Sequence, residues 1–230
     1  MEEKRKPYIA MKNLKAVLFD LDGTLIDSEY FHYECWNEVL GDYGVQLDYS
    51  DWLKNYAGIP LPQNAKNLLT KYQINADLVA VVKRREALTL ERLKTKDVGL
   101  MPYTLEMIEF LDERKLLQAI VTSSPREDVE AIFDRNGLRK YFTLMITRSE
   151  VVQNKPDPEG YLKCCALLGI KKEECIVFED TINGIKAAKA AGLKCIAVQS
   201  NLEVHPSLSI ADELFLDLGA AKRALLASEL

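Results

Sequence analysis

Short apolar runs alternate with helical patterns in this chain, and that alternation constrains its fold more than any other feature of the sequence. The runs lie at 15–20, 118–122, 144–147, 175–178 and 194–198. They are nearly continuous in apolar residues, as strands buried on both faces are. Between them lie apolar residues at helical spacing that end in glycine, as at Gly137 and Gly169. We therefore predict an α/β fold with a doubly wound, Rossmann-like parallel sheet as its core.

One long segment interrupts the alternation directly after the first predicted strand. Residues 27–97 contain no convincing strand and show only helical patterns. The helical patterns lie at 30–42, 51–56, 62–72 and 76–94. The stretch 97–102 then leads back to the alternating part of the chain. We predict a helical cap domain at 27–97, inserted into an α/β core domain that comprises residues 1–26 and 98–230.

Composition and charge exclude several classes of protein. The net charge is −5 and the basic residues are scattered, so nucleic acid is not an expected partner. No apolar run approaches the ~18 residues of a membrane helix, and no apolar signal-peptide stretch follows the charged residues 1–6. We expect a cytoplasmic protein with no membrane partner, and we favour a monomer.

The metal chemistry open to this chain is also restricted by its composition. His32 and His205 are the only histidines, and the five cysteines form no Cys-x-x-Cys pair. The sequence therefore indicates neither a disulfide framework nor a zinc site. Any metal bound by this chain is expected to be held by oxygen ligands.

Polar residues stand where the predicted strands end, and ligands of open α/β sheets bind at that edge. These residues are Asp20 and Asp22 after the first strand, Thr122 and Ser123 after the second, Glu179 and Asp180 after the fourth, and Lys155 in the loop before the helix that leads into the fourth. Each has an ordinary structural explanation, such as a turn, a helix cap or an exposed loop lysine. Their coincidence at one sheet edge favours a catalytic site instead.

Together these residues resemble the four motifs of the haloacid dehalogenase superfamily of phosphotransferases. The motifs are matched in order by Asp20-x-Asp22-Gly23-Thr24, by Thr122, by Lys155 and by Glu179-Asp180, and they extend over nearly the whole chain. The stretch 178–188 is similar to the fourth motif almost residue for residue. The helical insertion resembles the α-helical cap found in β-phosphoglucomutase and phosphoglycolate phosphatase relatives.

The resemblance implies a role in phosphoryl transfer for each motif residue. Asp20 is implied as the nucleophile that forms an aspartyl-phosphate, and Asp22 as the acid and base for the leaving group and for water. Thr122 and Lys155 are implied to hold the phosphoryl oxygens and to offset developing charge. Because a carboxylate that attacks an anionic ester meets like charge, a cation is needed to neutralise both.

Mg²⁺ is the cofactor that suits this requirement, because it takes hard oxygen ligands. The resemblance implies that Asp20 and Asp180 supply carboxylates to the metal. It adds the backbone carbonyl of Asp22 and places Glu179 nearby. We therefore expect a magnesium site at the sheet edge.

Substrate contacts are expected from the cap and from the end of the second strand. The residues concerned are His32, Gly58, Arg84 and Ser123. His32 matches a cap histidine of the relatives, Arg84 aligns with a cap cation of the mutase, and the cap is expected to close over the core. The alternatives are a histidine packed at the domain boundary and, for the basic run 83–85, an ordinary solvated helix face.

Phosphatase and mutase share every core residue named above, so the cap must distinguish them. Leu61 stands where the mutase has an arginine for a second phosphate, and leucine cannot pair with phosphate. We predict a Mg²⁺-dependent phosphatase for a small phosphorylated metabolite, with a phosphosugar mutase as the alternative.

Two other functional classes are alternative interpretations of these residues. The receiver domain of a signalling protein has a strand-end aspartate, a hydroxyl residue, a lysine and Mg²⁺. Asp22 and the helical insertion argue against a receiver, since a switch needs neither a leaving-group acid nor a cap. A protein that only sequesters a phosphorylated metabolite has no need of the nucleophile Asp20.

Overall fold

The computed structural model describes residues 11–228, and the predictions for 1–10 and 229–230 lie outside the described residues. The strands are β1 (Ala16–Phe19), β2 (Ile26–Asp27), β3 (Gly99–Leu100), β4 (Leu117–Val121), β5 (Leu144–Ile146), β6 (Cys175–Glu179), β7 (Lys194–Val198) and β8 (Glu213–Phe215). The helices are α1 (Glu29–Gly41), α2 (Tyr49–Asn55), α3 (Leu61–Lys71), α4 (Leu78–Leu93), α5 (Thr104–Glu113), α6 (Arg126–Asn136), α7 (Glu159–Leu168), α8 (Ile182–Ala190) and α9 (Leu218–Ala227).

Six strands form one parallel sheet in the order β5-β4-β1-β6-β7-β8. The predicted doubly wound α/β fold is therefore confirmed, with β1 between β4 and β6. The strands β2 and β3 pair with each other in a separate two-stranded sheet. The sequence analysis did not predict β2, β3 or β8, because strands of two or three residues are too short to show a periodicity.

The register of the two central strands is supported by aromatic packing. Phe19 of β1 lies opposite Phe178 of β6, and their rings stack with centroids 5.3 Å apart. Both side chains are fully buried, and such pairs contribute about 0.5–1.5 kcal/mol beyond the burial of their area. The backbone N–H of Asp20 continues the ladder and donates to the carbonyl of Phe178 over 2.9 Å. The ends of β1 and β6 are thereby held side by side.

Helices α7 and α8 pack against each other and against the sheet. Ala16 and Leu18 of β1 lie in one buried cluster with Tyr161 of α7 and Ile185 of α8. Four of the five cysteines belong to the same cluster, where cysteine serves as a small hydrophobic residue. Helix α5 packs against β4 and α9. None of the described helices is both long and apolar enough to cross a bilayer.

The helical residues 27–99 form, together with 127–136, a compact unit of their own. Within it α1 packs against α2 and α4, and α3 packs against α4. Asp48 and Asp77 each accept two backbone hydrogen bonds as N-caps, so α2 and α4 begin directly after them. The predicted starts of these helices differ by two residues because the prediction did not consider the caps.

Helix α6 belongs to this helical unit from residue 127 onward, although the predicted core domain included it. Arg135 of α6 forms an ion pair with Asp97, and its Nη1 donates to the carbonyl of Lys94 over 3.0 Å. Asn136 donates to the carbonyl of Val98 over 3.5 Å. These contacts attach the end of α6 to the stretch that follows α4. The domain boundaries drawn from the sequence remain a prediction.

In the other unit, which contains the sheet, a hydrogen-bonded carboxylate connects β5 with the start of α6. Glu150 accepts from Arg126 Nε over 2.8 Å and from the backbone N–H of Thr147 over 2.7 Å. Arg126 also donates to the carbonyl of Met145 over 2.9 Å. Burial alone would raise the pKa of Glu150, but the bonds from Arg126 and Thr147 outweigh it and lower that pKa to about 2.

We expect Glu150→Gln to lower the free energy of unfolding at pH 7 by about 1–2 kcal/mol, since the pair is partly screened by solvent. A carboxylate whose pKa is lowered on folding stabilises the protein above its unfolded pKa and loses that effect as pH falls through the folded value. The difference between wild type and variant should therefore shrink between about pH 4.5 and pH 2. Urea unfolding across this range tests it, with the exposed Glu173→Gln as the control. A difference that is constant with pH would contradict the assigned role of the charge.

Candidate active site

Asp20 is a buried carboxylate at the carboxyl end of the central strand β1. The residue is 8% exposed, and Lys155 Nζ lies 2.5 Å from its Oδ1. Burial raises the pKa of Asp20 to about 7, although Lys155 opposes the shift. A further cation beside Asp20 would lower this pKa again and favour the ionised form.

Lys155 holds two carboxylates at once. Its Nζ lies 2.5 Å from Glu179 Oε1 as well as 2.5 Å from Asp20 Oδ1. Burial alone would lower the pKa of Lys155, but the charges of Asp20 and Glu179 outweigh it and raise that pKa above its usual value. The ion pairs with these two carboxylates therefore favour the cationic form of Lys155.

Glu179 is fully buried and its two oxygens are saturated with hydrogen bonds. Oε1 accepts from Lys155 and from Tyr161 Oη, the latter over 2.8 Å. Oε2 accepts from the backbone N–H of Asp180 over 3.2 Å and from Thr181 Oγ1 over 3.4 Å. A buried carboxylate with this many donors is held in one orientation.

Tyr161 is a site residue that the sequence analysis missed. It lies in α7 among apolar neighbours, and an aromatic residue at such a position is usually a core residue. Its ring does lie in the core, but its hydroxyl bonds Glu179, and Lys155 Nζ lies 5.2 Å from the ring centroid. In the sequence, only its position six residues after Lys155 connects Tyr161 with the site.

Two glycines make room for the carboxylates of the fourth motif. Gly23 has a φ of +79°, and a Cβ atom there would overlap the carboxylate of Asp180. A Cβ atom on Gly184 in α8 would overlap the carboxylate of Glu179. Asp180 is also held by Thr24, whose Oγ1 donates to its Oδ1 over 3.2 Å.

Three of the predicted metal ligands lie together at the sheet edge. Asp20, Glu179 and Asp180 each offer a carboxylate oxygen, and these oxygens all lie within 4.8 Å of one another. Hard oxygen donors at this spacing suit a small divalent cation. Both oxygens of Glu179 already accept the hydrogen bonds described above.

The carboxyl end of β4 brings hydroxyl groups to the same edge of the sheet. Thr122 follows β4, and its backbone N–H donates to the carbonyl of Ile146 over 2.9 Å. Thr122, Ser123 and Lys155 line one shallow pocket, together with Tyr161. The side chain of Asp22 bonds Ser124, whose Oγ donates to Asp22 Oδ2 over 2.6 Å. The core motif residues predicted from the sequence are thus neighbours.

The cap residues predicted to bind substrate lie in the helical unit. Arg84 is exposed and pairs with Glu38 and Asp42, at 3.4 and 3.7 Å. Gly58 has a φ of +70° in the turn between α2 and α3. His32 is half-buried in α1. Substrate contacts from these residues remain a prediction.

Arg85 is buried, whereas one interpretation of the basic run 83–85 was an ordinary solvated helix face. It is 2% exposed, and its Nη2 donates to the carbonyl of His32 over 3.1 Å and contacts His32 Nδ1 at 3.2 Å. Its guanidinium also lies 5.5 Å from the ring of Trp36. Because arginine can only donate, His32 Nδ1 is the acceptor in this contact. The sequence pattern shows a run of charges and does not reveal which of them the helix turns inward.

Comparison with known proteins gives a consistent result. Residues 17–198 match the sequence model of the haloacid dehalogenase-like hydrolases. The chain is 33% identical over 206 residues to validoxylamine A 7'-phosphate phosphatase of Streptomyces hygroscopicus subsp. limoneus, covering 89% of this chain and 94% of that protein. It is 31% identical over 184 residues to fructose-1-phosphate phosphatase YqaB of Escherichia coli strain K12, covering 80% and 96%. A solved structure described as a predicted phosphoglycolate phosphatase from Haemophilus somnus 129PT has the same fold, with a TM-score of 0.81 at 21% identity over 93% and 98% of the chains.

Tyr161→Phe removes one donor from the fully buried Glu179, and we expect it to lower the free energy of unfolding by about 1–3 kcal/mol. Tyr141→Phe is a matched control, because Tyr141 donates to Glu109 over 3.1 Å at an exposed position. The control should lose no more than about 0.5 kcal/mol. Urea unfolding of both variants provides the measurement, and equal losses would show that Glu179 does not depend on Tyr161.

Proposed function

The chain belongs to the haloacid dehalogenase-like hydrolase family and is a phosphoric monoester hydrolase, and we propose that it is a Mg²⁺-dependent phosphatase acting through an aspartyl-phosphate on Asp20. The observation that carries this proposal is the buried contact of Asp20 with Lys155 beside Asp180. This contact supports the proposal because the proposed nucleophile Asp20, the proposed phosphate-binding Lys155 and the proposed metal ligand Asp180 lie at one sheet edge. We further propose that the protein acts in the cytoplasm as a monomer.

Asp20 and Asp180 would hold Mg²⁺, with the backbone carbonyl of Asp22 as the further ligand that the family resemblance implies. The donor set supports this choice, since it consists of carboxylate oxygens and contains no cysteine or histidine. When bound, Mg²⁺ supplies the positive charge that offsets the repulsion between carboxylate and phosphate.

In the first step, a carboxylate oxygen of Asp20 attacks the phosphorus of the ester. The new bond joins Asp20 to phosphorus, and the bond from phosphorus to the ester oxygen breaks with its electron pair on that oxygen. Asp22 gives its proton to the departing oxygen, so an alcohol leaves. Lys155 and Thr122 hold the phosphoryl oxygens and stabilise their charge in the transition state.

In the second step, water attacks the phosphorus of the aspartyl-phosphate. Asp22, now a carboxylate, takes a proton from that water, and the bond from phosphorus to Asp20 breaks. Inorganic phosphate leaves, Asp20 is again a carboxylate, and Asp22 is again protonated. Each group ends the cycle in the state in which it began.

We propose a sugar phosphate or a similar small monoester as the substrate. Similar proteins are named for validoxylamine A 7'-phosphate, for fructose 1-phosphate and for phosphorylated carbohydrates. His32, Gly58, Arg84 and Ser123 are the proposed substrate contacts. The net charge of −5 argues against nucleic acid as a partner.

We expect Asp20→Asn to abolish phosphate release from a panel of small esters, with a loss of several orders of magnitude in kcat, because the covalent route is removed. The panel is assayed with Mg²⁺ and with excess EDTA, and the exposed Asp112→Asn is the matched control. Circular dichroism establishes that each variant is folded. Wild-type turnover by folded Asp20→Asn, or full activity in EDTA, would refute the mechanism.

A second test separates phosphatase from mutase. The stretch 58–64, which includes the start of α3, contains no basic residue, and Leu61 stands where the mutase has an arginine, so a second phosphate lacks a partner there. Loss of such a charged hydrogen bond typically costs ~2–5 kcal/mol. We expect no efficient conversion of β-glucose 1-phosphate to glucose 6-phosphate when β-glucose 1,6-bisphosphate is supplied as primer. Conversion faster than phosphate release in a coupled assay would establish the mutase instead.

A further inference from the structure

Ser124 is the second serine after β4, and its hydroxyl bonds the carboxyl group of Asp22. The distance from Ser124 Oγ to Asp22 Oδ2 is 2.6 Å. We propose that Ser124 is a positioning residue that orients Asp22 for proton transfer to the leaving group. The inference rests on the proposed function, in which Asp22 supplies that proton.

The backbone of Ser124 is fixed on both sides. Its N–H donates to Thr122 Oγ1 over 3.1 Å, and its carbonyl accepts from the N–H of Arg148 over 3.0 Å. Two backbone bonds leave the main chain of Ser124 little freedom, so its hydroxyl extends from a fixed point at the sheet edge. Ser124 can therefore impose an orientation on Asp22.

The same turn also orients the hydroxyl group of Thr122. The N–H of Ser124 occupies a lone pair of the Thr122 hydroxyl, so the hydroxyl proton of Thr122 points elsewhere. A phosphoryl oxygen is an acceptor for that proton. The stretch 122–124 thus serves the group that holds phosphate and the group that moves the proton.

A hydroxyl suits Asp22 because Asp22 must change its protonation state twice in each cycle. Serine carries both a donor and lone pairs, so it can donate to a carboxylate and accept from a carboxylic acid. Asp20 has a different partner: the ammonium of Lys155, which favours one charge state. The nucleophile is held by a cation and the proton carrier by a neutral group, as their roles require.

A comparison of two leaving groups distinguishes a positioning role of Ser124 from a purely structural role. An alkoxide needs a proton as it departs, whereas p-nitrophenolate is a weak base that departs without one. Removal of a residue that acts through Asp22 should slow transfer from alkyl esters and spare transfer from p-nitrophenyl phosphate. A general disturbance of the site would slow both. The ratio kcat/KM reports the steps up to departure of the leaving group, so the second step does not affect the comparison.

The experiment compares kcat/KM of Ser124→Ala on glycerol 2-phosphate and on p-nitrophenyl phosphate with Mg²⁺. We expect a loss of at least ~10-fold on the alkyl ester and less than ~3-fold on the aryl ester. Ser124→Thr retains the hydroxyl and should restore the alkyl rate to within ~3-fold of wild type. Ser124→Cys keeps the volume with a weaker donor and should give a smaller split, so the test also stands if Ser124→Ala does not fold.

Two control variants, Ser149→Ala and Asp22→Asn, are measured with the same two esters. Ser149→Ala removes an exposed hydroxyl from the neighbouring loop, where Ser149 Oγ accepts from the N–H of Arg126 over 3.3 Å, and it should leave both rates unchanged. Asp22→Asn should give a larger split in the same direction. Equal losses on both esters, or no loss, with Asp22→Asn still showing its split, would overturn the role of Ser124 alone. Absence of turnover by the wild type, or turnover by Asp20→Asn, would overturn the proposed function and this inference with it.

Discussion

The buried cluster of Asp20, Lys155 and Glu179 is the interaction on which the rest of this structure depends. Two carboxylates share one ammonium at distances of 2.5 Å, in a position where water reaches them poorly. Leaving one member of such a cluster unpaired costs about 3–5 kcal/mol. The surrounding fold therefore has to bring three separate segments to one point, and the parallel sheet does this by ending β1 and β6 side by side. With both carboxylates ionised, the cluster carries one negative charge more than its lysine offsets, and this excess favours the binding of a further cation.

Much of the fold and the core of the site could be predicted from the sequence. The long buried strands have continuous apolar runs, and their polar ends were recognisable as the four motifs, so the α/β fold and the family are confirmed. Asp20, Lys155, Glu179 and Asp180 lie together as expected, whereas their catalytic roles remain proposals. The family patterns were sufficient here because each motif is short and continuous in sequence.

The remaining features could not be predicted, because they depend on contacts between distant residues. Tyr161 lies at a core position of α7, and only the structure shows that its hydroxyl reaches Glu179. Arg85 and Arg84 are equivalent in a charge pattern, but the rotation of α4 buries the first and exposes the second. The bond from Ser124 to Asp22 joins residues 102 positions apart in the chain. Helix caps and two-residue strands likewise have no periodicity to detect.

The missing side chains at Gly23 and Gly184 have a consequence for how this sequence can vary. Each glycine leaves a space that a carboxylate fills: that of Asp180 at Gly23, and that of Glu179 at Gly184. A larger residue there would displace the carboxylate of Asp180 or Glu179, although the acidic residue itself would be unchanged. In a library of random variants, these two positions should therefore tolerate as little change as the acidic residues do. Evolution of new specificity in this scaffold would have to proceed through residues elsewhere.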